Sequence, residues 1–162
     1  STAHACQAAS RLISTNGNFA FLTGLLHKIG LMVHLINLPS PTQEPRKSQA
    51  LWDALNISHP AISHYILSHW KMPNEILLTI GNYGQLLIND QLNELSALLL
   101  IAEEITRRIG YSHPSLTSKD SFSTYPQEDY QDAIQLLNLN ANDLEKIMTE
   151  TQNALRLTSR IV

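Results

Sequence analysis

The sequence predicts an all-α protein folded as a compact, irregular helical bundle. Three observations carry this. Apolar residues recur at three- and four-residue intervals along most of the chain, no stretch shows the two-residue alternation of a strand, and no segment repeats another. The 162 residues suit a single domain over 1–162, long enough to bury an apolar core without staples. Charged residues make up 15 %, below the usual value of roughly 25 %, and apolar ones 43 %, so much of the chain must pack inward or against a partner.

The elements follow in order. Ser1 to about Ser14 is rich in small residues and ends at Asn16-Gly17-Asn18, which reads as a helix stop. From Phe19, the residues Leu22, Leu25, Leu26, Ile29, Val33 and Ile36 form one continuous apolar stripe, which predicts an unbroken central helix ending before Pro39. The stretch "LPSPTQEPRK" holds three prolines and must be an extended or turning connection. A short helix is expected over Lys47 to Leu55. Ser58 then caps the next, with Pro60 tolerated in its first turn and Ile62, Tyr65, Ile66 and Trp70 on its buried side.

Pro73 opens another helix, which runs to Gly81 and Gly84. Asn89 and Asp90 are candidate caps for a long helix ending at "RRIG", where Arg107 and Arg108 suit the negative helix terminus. Tyr111 to Gln127 lacks periodicity and is rich in serine, threonine and proline, as loops are. Two helices finish the chain. Tyr130, Ala133, Ile134 and Leu137 line the first; Asn140 with Asp143 begins the second, whose stripe is Leu144, Ile147, Met148 and Leu155.

Composition excludes several function classes. A net charge of −3 with no basic run provides no electrostatic footprint for nucleic acid or an anionic membrane. No uninterrupted apolar run approaches the roughly eighteen residues of a membrane span, so no membrane partner is expected. Cys6 is the only cysteine, which rules out an internal disulfide and fits a reducing, cytoplasmic setting. The chain opens without methionine on "STAHACQAASRLIS", already helical in pattern, and is expected to be a piece of a longer protein.

The chemistry worth weighing centres on His27. On a helical wheel it groups with Thr23, Gly24, Gly30, Leu31 and His34. Each glycine within a helix costs about 1 kcal/mol relative to alanine, so two of them point to close approach by another backbone or by a ligand. Other sites fail on their residues. No glycine-rich loop follows a strand, no "GxSxG" elbow is present, and the HxxxH spacings lack the adjacent glutamate of a zinc protease. Trp52 and Trp70 read as core or interface anchors, because the basic residues that accompany a base-stacking platform are missing. His64 and His69 are expected on solvated faces, and His4, His34 and His113 have no assigned role.

Three blocks, "FAFLTGLLHKIGLMVHL", "ISHPAISHYILSHWKMPNEILLTI" and "LLLIAEEITRRIG", together resemble the HDOD family, relatives of the HD superfamily of metal-dependent phosphohydrolases. The resemblance implies an HD-like helical fold with further helices ahead of Ser1, and a regulatory or output role in bacterial signalling proteins. It also places the old metal positions. His27 matches the histidine of the HD pair, but Lys28 stands where its aspartate would be. His59 matches the histidine of the second block, Tyr83 and Gly84 stand where paired histidines would, and Ala102-Glu103 replaces alanine-aspartate.

Such a set is degenerate. An ammonium has three donors and no acceptor, so Lys28 repels a divalent cation where a carboxylate would hold one. No metal, cofactor or catalytic residue is therefore expected. His27, Lys28, His59, Tyr83 and Glu103 are read as a remnant pocket, with Lys28 expected to pair with Glu103. The function implied is a non-catalytic module that works through other signalling domains or proteins, with a small anionic ligand as a further partner, since lysine favours phosphate. The alternative is a residual metal-dependent phosphohydrolase or a nucleotide-binding sensor.

Overall fold

The computed structural model describes residues 1–37, 45–111 and 127–158, and all of their side chains except those of 45–52 and 127–128. The class is all-α, with one two-residue hairpin among the described residues. In order the elements are α1 (Thr2–Ser10), α2 (Gly17–Leu26), α3 (Ile29–Asn37), α4 (Pro45–His69), α5 (Asn74–Gly81), β1 (Leu87–Ile88), β2 (Gln91–Leu92), α6 (Glu94–Arg108), α7 (Gln127–Leu136) and α8 (Ala141–Thr158). The chain divides into two compact units, Ser1–Leu25 with Gly84–Val162, and Leu26–Tyr83.

In the first unit the central helix is α6, not the leucine-striped segment. It packs against α1, α7 and α8, and from Leu95 to Ala102 every residue is buried. Burying each leucine or isoleucine contributes about 1.5–3 kcal/mol relative to exposure, so α6 is the element this unit can least lose. Helix α1 lies close to it because its inward residues, Ala3, Ala5, Cys6, Ala8 and Ala9, are small. Gly24 of α2 fits the same surface: a Cβ there would fall 2.8 Å from the Ala3 Cα, the Thr2 carbonyl oxygen and the Cys6 sulfur.

Caps explain where helices begin. The Asn140 side-chain oxygen accepts the amides of Asn142 and Asp143 at 2.9 and 3.1 Å, and the Asp143 carboxylate accepts the Asn140 amide at 3.0 Å. This reciprocal box starts α8 as its residues predict. Asn16, expected to stop a helix, instead starts α2 by accepting the amides of Asn18 and Phe19, and α1 ends earlier, at Ser10. Asn89 and Asp90 do not cap α6. They hold positive φ, 51° and 61°, and turn the β1–β2 hairpin, while Asn93 caps α6 by accepting the Ser96 amide. Two consecutive left-handed residues are what a two-residue hairpin requires, and Asn and Asp tolerate that conformation.

The second unit pairs α3 with α4 and α4 with α5. The expected unbroken helix from Phe19 to Ile36 is interrupted by a turn at His27–Lys28. Its stripe is not central either: Leu25 and Ile36 are 57 % and 79 % exposed, and Met32, Val33 and Leu35 join them on the surface. By length and mean hydropathy alone, Gly17–Asn37 is apolar enough to cross a membrane, although it is not an uninterrupted apolar run: Asn18, Thr23, His27, Lys28 and His34 lie within it.

Conversely, the two helices expected between Lys47 and Trp70 are one. Pro60 lies inside α4, and the Ser58 hydroxyl donates back to the Ala54 carbonyl rather than capping. The buried row of α4 is Leu55, His59, Ser63 and Leu67; Tyr65 and Trp70, expected inside, are exposed. Pro73 precedes α5 as predicted. The Trp52 side chain, His113, residues 38–44 of the proline-rich connection and residues 112–126 of the expected loop lie outside the described residues. Gln127, expected at the end of that loop, opens α7.

Candidate functional site

The position that the resemblance assigns to the HD pair, His27–Lys28, is held by backbone contact. The turn at His27–Lys28 lies where α2 ends and α3 begins, and α3 meets α4 at Gly30. A Cβ on Gly30 would collide with the His59 carbonyl oxygen and fall 2.7 Å from the Ser63 amide nitrogen, so only hydrogen fits between the helices. The buried Ser63 hydroxyl bridges the break. It accepts the Gly30 amide at 2.9 Å and donates to the His27 carbonyl at 3.3 Å. Of the two approaches that the glycines allowed, the structure shows main-chain packing at both Gly24 and Gly30.

Three aromatic side chains of this unit then converge. His59, in the middle of α4, is fully buried, and His27 is nearly so. The ring of Tyr83, two residues past the end of α5, stacks on His27 with centroids 6.2 Å apart and planes 15° apart. It meets His59 edge to face at 4.9 Å and 72°. Both arrangements are those that aromatic quadrupoles favour. Lys28 is half-buried beside His27. The sequence reading thus names four residues, His27, Lys28, His59 and Tyr83, that the structure places in one unit. Glu103 belongs to α6 of the other unit, where its charge acts on the Cys6 thiol.

The donor set does not fit an HD-type metal centre. Such a centre needs several imidazoles and a carboxylate converging on one ion, with a position left for the water it activates. Among the described residues no group of three His, Cys, Asp or Glu side chains is arranged to hold a metal. Here an aromatic ring lies against both imidazoles, and the residue after His27 is a lysine where the resemblance would have an aspartate.

The remaining histidines among the described residues have local roles. The His34 ring nitrogen Nε2 lies 3.0 Å from the Ser58 hydroxyl and links α3 to α4. His4 packs edge-on against Phe21. His64 lies over Gly81, where a Cβ would fall 2.9 Å from its ring, and His69 packs against the exposed Tyr65. Ser63 is the residue holding the His27–Lys28 position that the sequence did not single out. A serine facing inward on a helix carries no pattern, and only the glycine it serves was visible.

No curated protein and no solved structure matches the chain. Compared with models of known families, residues 1–86 match the HDOD domain. That span takes in α1 to α5, the whole of the unit Leu26–Tyr83, and His27, Lys28, His59 and Tyr83. The chain belongs to the HDOD family.

Proposed function

We propose that this HDOD chain is a non-catalytic regulatory module of a bacterial signal-transduction protein, cytoplasmic, which acts through contacts with other signalling domains or proteins. The observation that carries this reading is the Tyr83 ring lying against both His27 and His59, with Lys28 in place of the metal-anchoring aspartate. A hydrolase of this kind needs imidazole lone pairs directed at an ion and a carboxylate to balance its charge. A scaffold that keeps the histidines but fills the space with an aromatic ring and a cation is suited to recognition. Binding then acts by favouring one arrangement of the larger protein over another, in proportion to its differential affinity for the two.

Metal analysis of the purified full-length protein, with turnover assays on generic phosphoesters, tests this. The expected result is metal well below one equivalent and no turnover above buffer. Stoichiometric iron, manganese or zinc together with phosphoester cleavage would overturn it. A second reading, binding of a small anionic ligand such as a nucleotide, is favoured by Lys28 beside His27, since an ammonium attracts phosphate. Calorimetry with nucleotides on the wild type and Lys28→Ala separates that reading from protein contact alone.

A further inference from the structure

We infer that the Tyr83 ring is a clasp that couples the two ends of the unit Leu26–Tyr83 to each other. The chain comes into this unit at Leu26 and leaves it at Tyr83. His27 lies one residue inside the incoming end, and Tyr83 is the last residue of the outgoing end. Their rings face one another nearly in parallel, and His59 closes on the same tyrosine from the middle of α4. One side chain therefore joins the incoming end, the outgoing end and the helix between them.

The backbone at both ends needs such a joint. The incoming end passes through the non-helical turn at His27–Lys28 before α3 begins. The outgoing end runs through the turn after α5 into Gly84, whose φ of +87° is a conformation that glycine holds readily and side-chain-bearing residues rarely adopt. Neither end is fixed by an uninterrupted helical hydrogen-bond ladder; the Ser63 bonds tie the incoming turn to α4, and the ring cluster is what joins that turn to the outgoing end. Withdrawing Tyr83 releases both ends together, and a contact that favours the withdrawn ring is read out at the incoming turn. The regulatory role of the clasp rests on the function proposed above; the coupling itself is tested with no partner, metal or substrate present.

The Gly30 amide is the reporter, because it is bonded to the Ser63 hydroxyl rather than to a helix ladder. Hydrogen exchange is followed on the full chain for wild type, Tyr83→Phe, Tyr83→Leu and Tyr83→Ala. Leu keeps apolar bulk without a ring, so it serves where Ala fails to fold. Removing the ring is expected to speed exchange at Gly30 by about tenfold or more, with Leu67 in α4 and Leu98 in α6 unchanged; Tyr83→Phe stays within about twofold of wild type. Gly30 exchange that is indifferent to the loss of the ring would overturn the clasp, as would equal acceleration at Leu67, which signals general loosening. Failure here leaves the metal and phosphoester tests of the regulatory reading standing, so the two are distinguishable.

Discussion

The hydroxyl of Ser63 accepts the amide hydrogen of Gly30 at 2.9 Å, across the point where α3 lies on α4. This one bond explains why an apolar stripe that runs without interruption in the sequence becomes two helices in the structure. The amide of Gly30 is satisfied from the neighbouring helix, and the His27 carbonyl accepts from the same hydroxyl. The turn between them therefore leaves no buried backbone group without a bond at these two positions.

Ser63→Ala is expected to destabilise the protein by about 1–3 kcal/mol, the usual cost of leaving a buried donor unpaired. Gly30→Ala is expected to cost at least about 2 kcal/mol, because its Cβ would meet main-chain atoms of α4 that cannot step aside as a flexible side chain can. Urea denaturation measures both. If Gly30→Ala is neutral, α3 does not lie on α4 as closely as described.

Burial pushes the Cys6 thiol far above its ordinary range, and the nearby Glu103 carboxylate acts in the same direction. The unfolded chain ionises this thiol near pH ~8.5, where the folded chain does not, so the contribution is complete below that pH and lost as pH rises. Relative to Cys6→Ala, wild-type stability is expected to fall by about 2 kcal/mol between pH 8 and 10. Alkylation of native protein at pH 8 should be correspondingly slow and become rapid in denaturant; prompt native labelling contradicts the burial of Cys6.

Glu104 is pulled two ways. Partial burial raises its affinity for a proton, and hydrogen bonds from Arg107 and Arg108, at 2.7 Å each, outweigh this and hold it below the ordinary glutamate range. The stabilisation this gives is present above the unfolded value of about 4.3 and disappears as pH falls through the lowered folded one. Both arginines are about half exposed, so Glu104→Gln should cost no more than about 1 kcal/mol at pH 7. The difference from wild type should shrink as the solution is acidified below the ordinary glutamate range, and shrink in high salt. A gap that persists in acid would place its origin in packing.

Some of this architecture was legible because the signals were local. Pro73 ahead of α5, Arg107 and Arg108 at the end of α6, and the Asn140–Asp143 box of α8 each act within one helical turn, and the sequence states them directly. The breaks and burials were not local. The stripe from Leu22 to Ile36 has the period of a buried helix, yet whether it is buried depends on which neighbours arrive, and in the unit Ser1–Leu25 with Gly84–Val162 it is α6 that takes the centre. Pro60 looked like a first-turn residue, yet α4 carries it in its interior; proline there removes a backbone donor, and nothing local in the sequence shows that the helix continues through it. The hairpin escaped notice because two-residue strands are too short to show alternation, although Asn89-Asp90 fits its turn. At the site, His27, Lys28, His59 and Tyr83 were found by resemblance. Their mutual geometry and the part played by Ser63 required coordinates.

The contacts at Gly24 and Gly30 bear on which substitutions this stretch tolerates. On either side of His27 and Lys28 the chain is approached closely, largely by main-chain atoms, with a hydrogen standing where any side chain would intrude. Each of these two contacts, one in each unit, is thus written in the backbone and is indifferent to the side chains at positions 27 and 28. Side chains at positions 27 and 28 can therefore be exchanged while the backbone that carries them keeps its course.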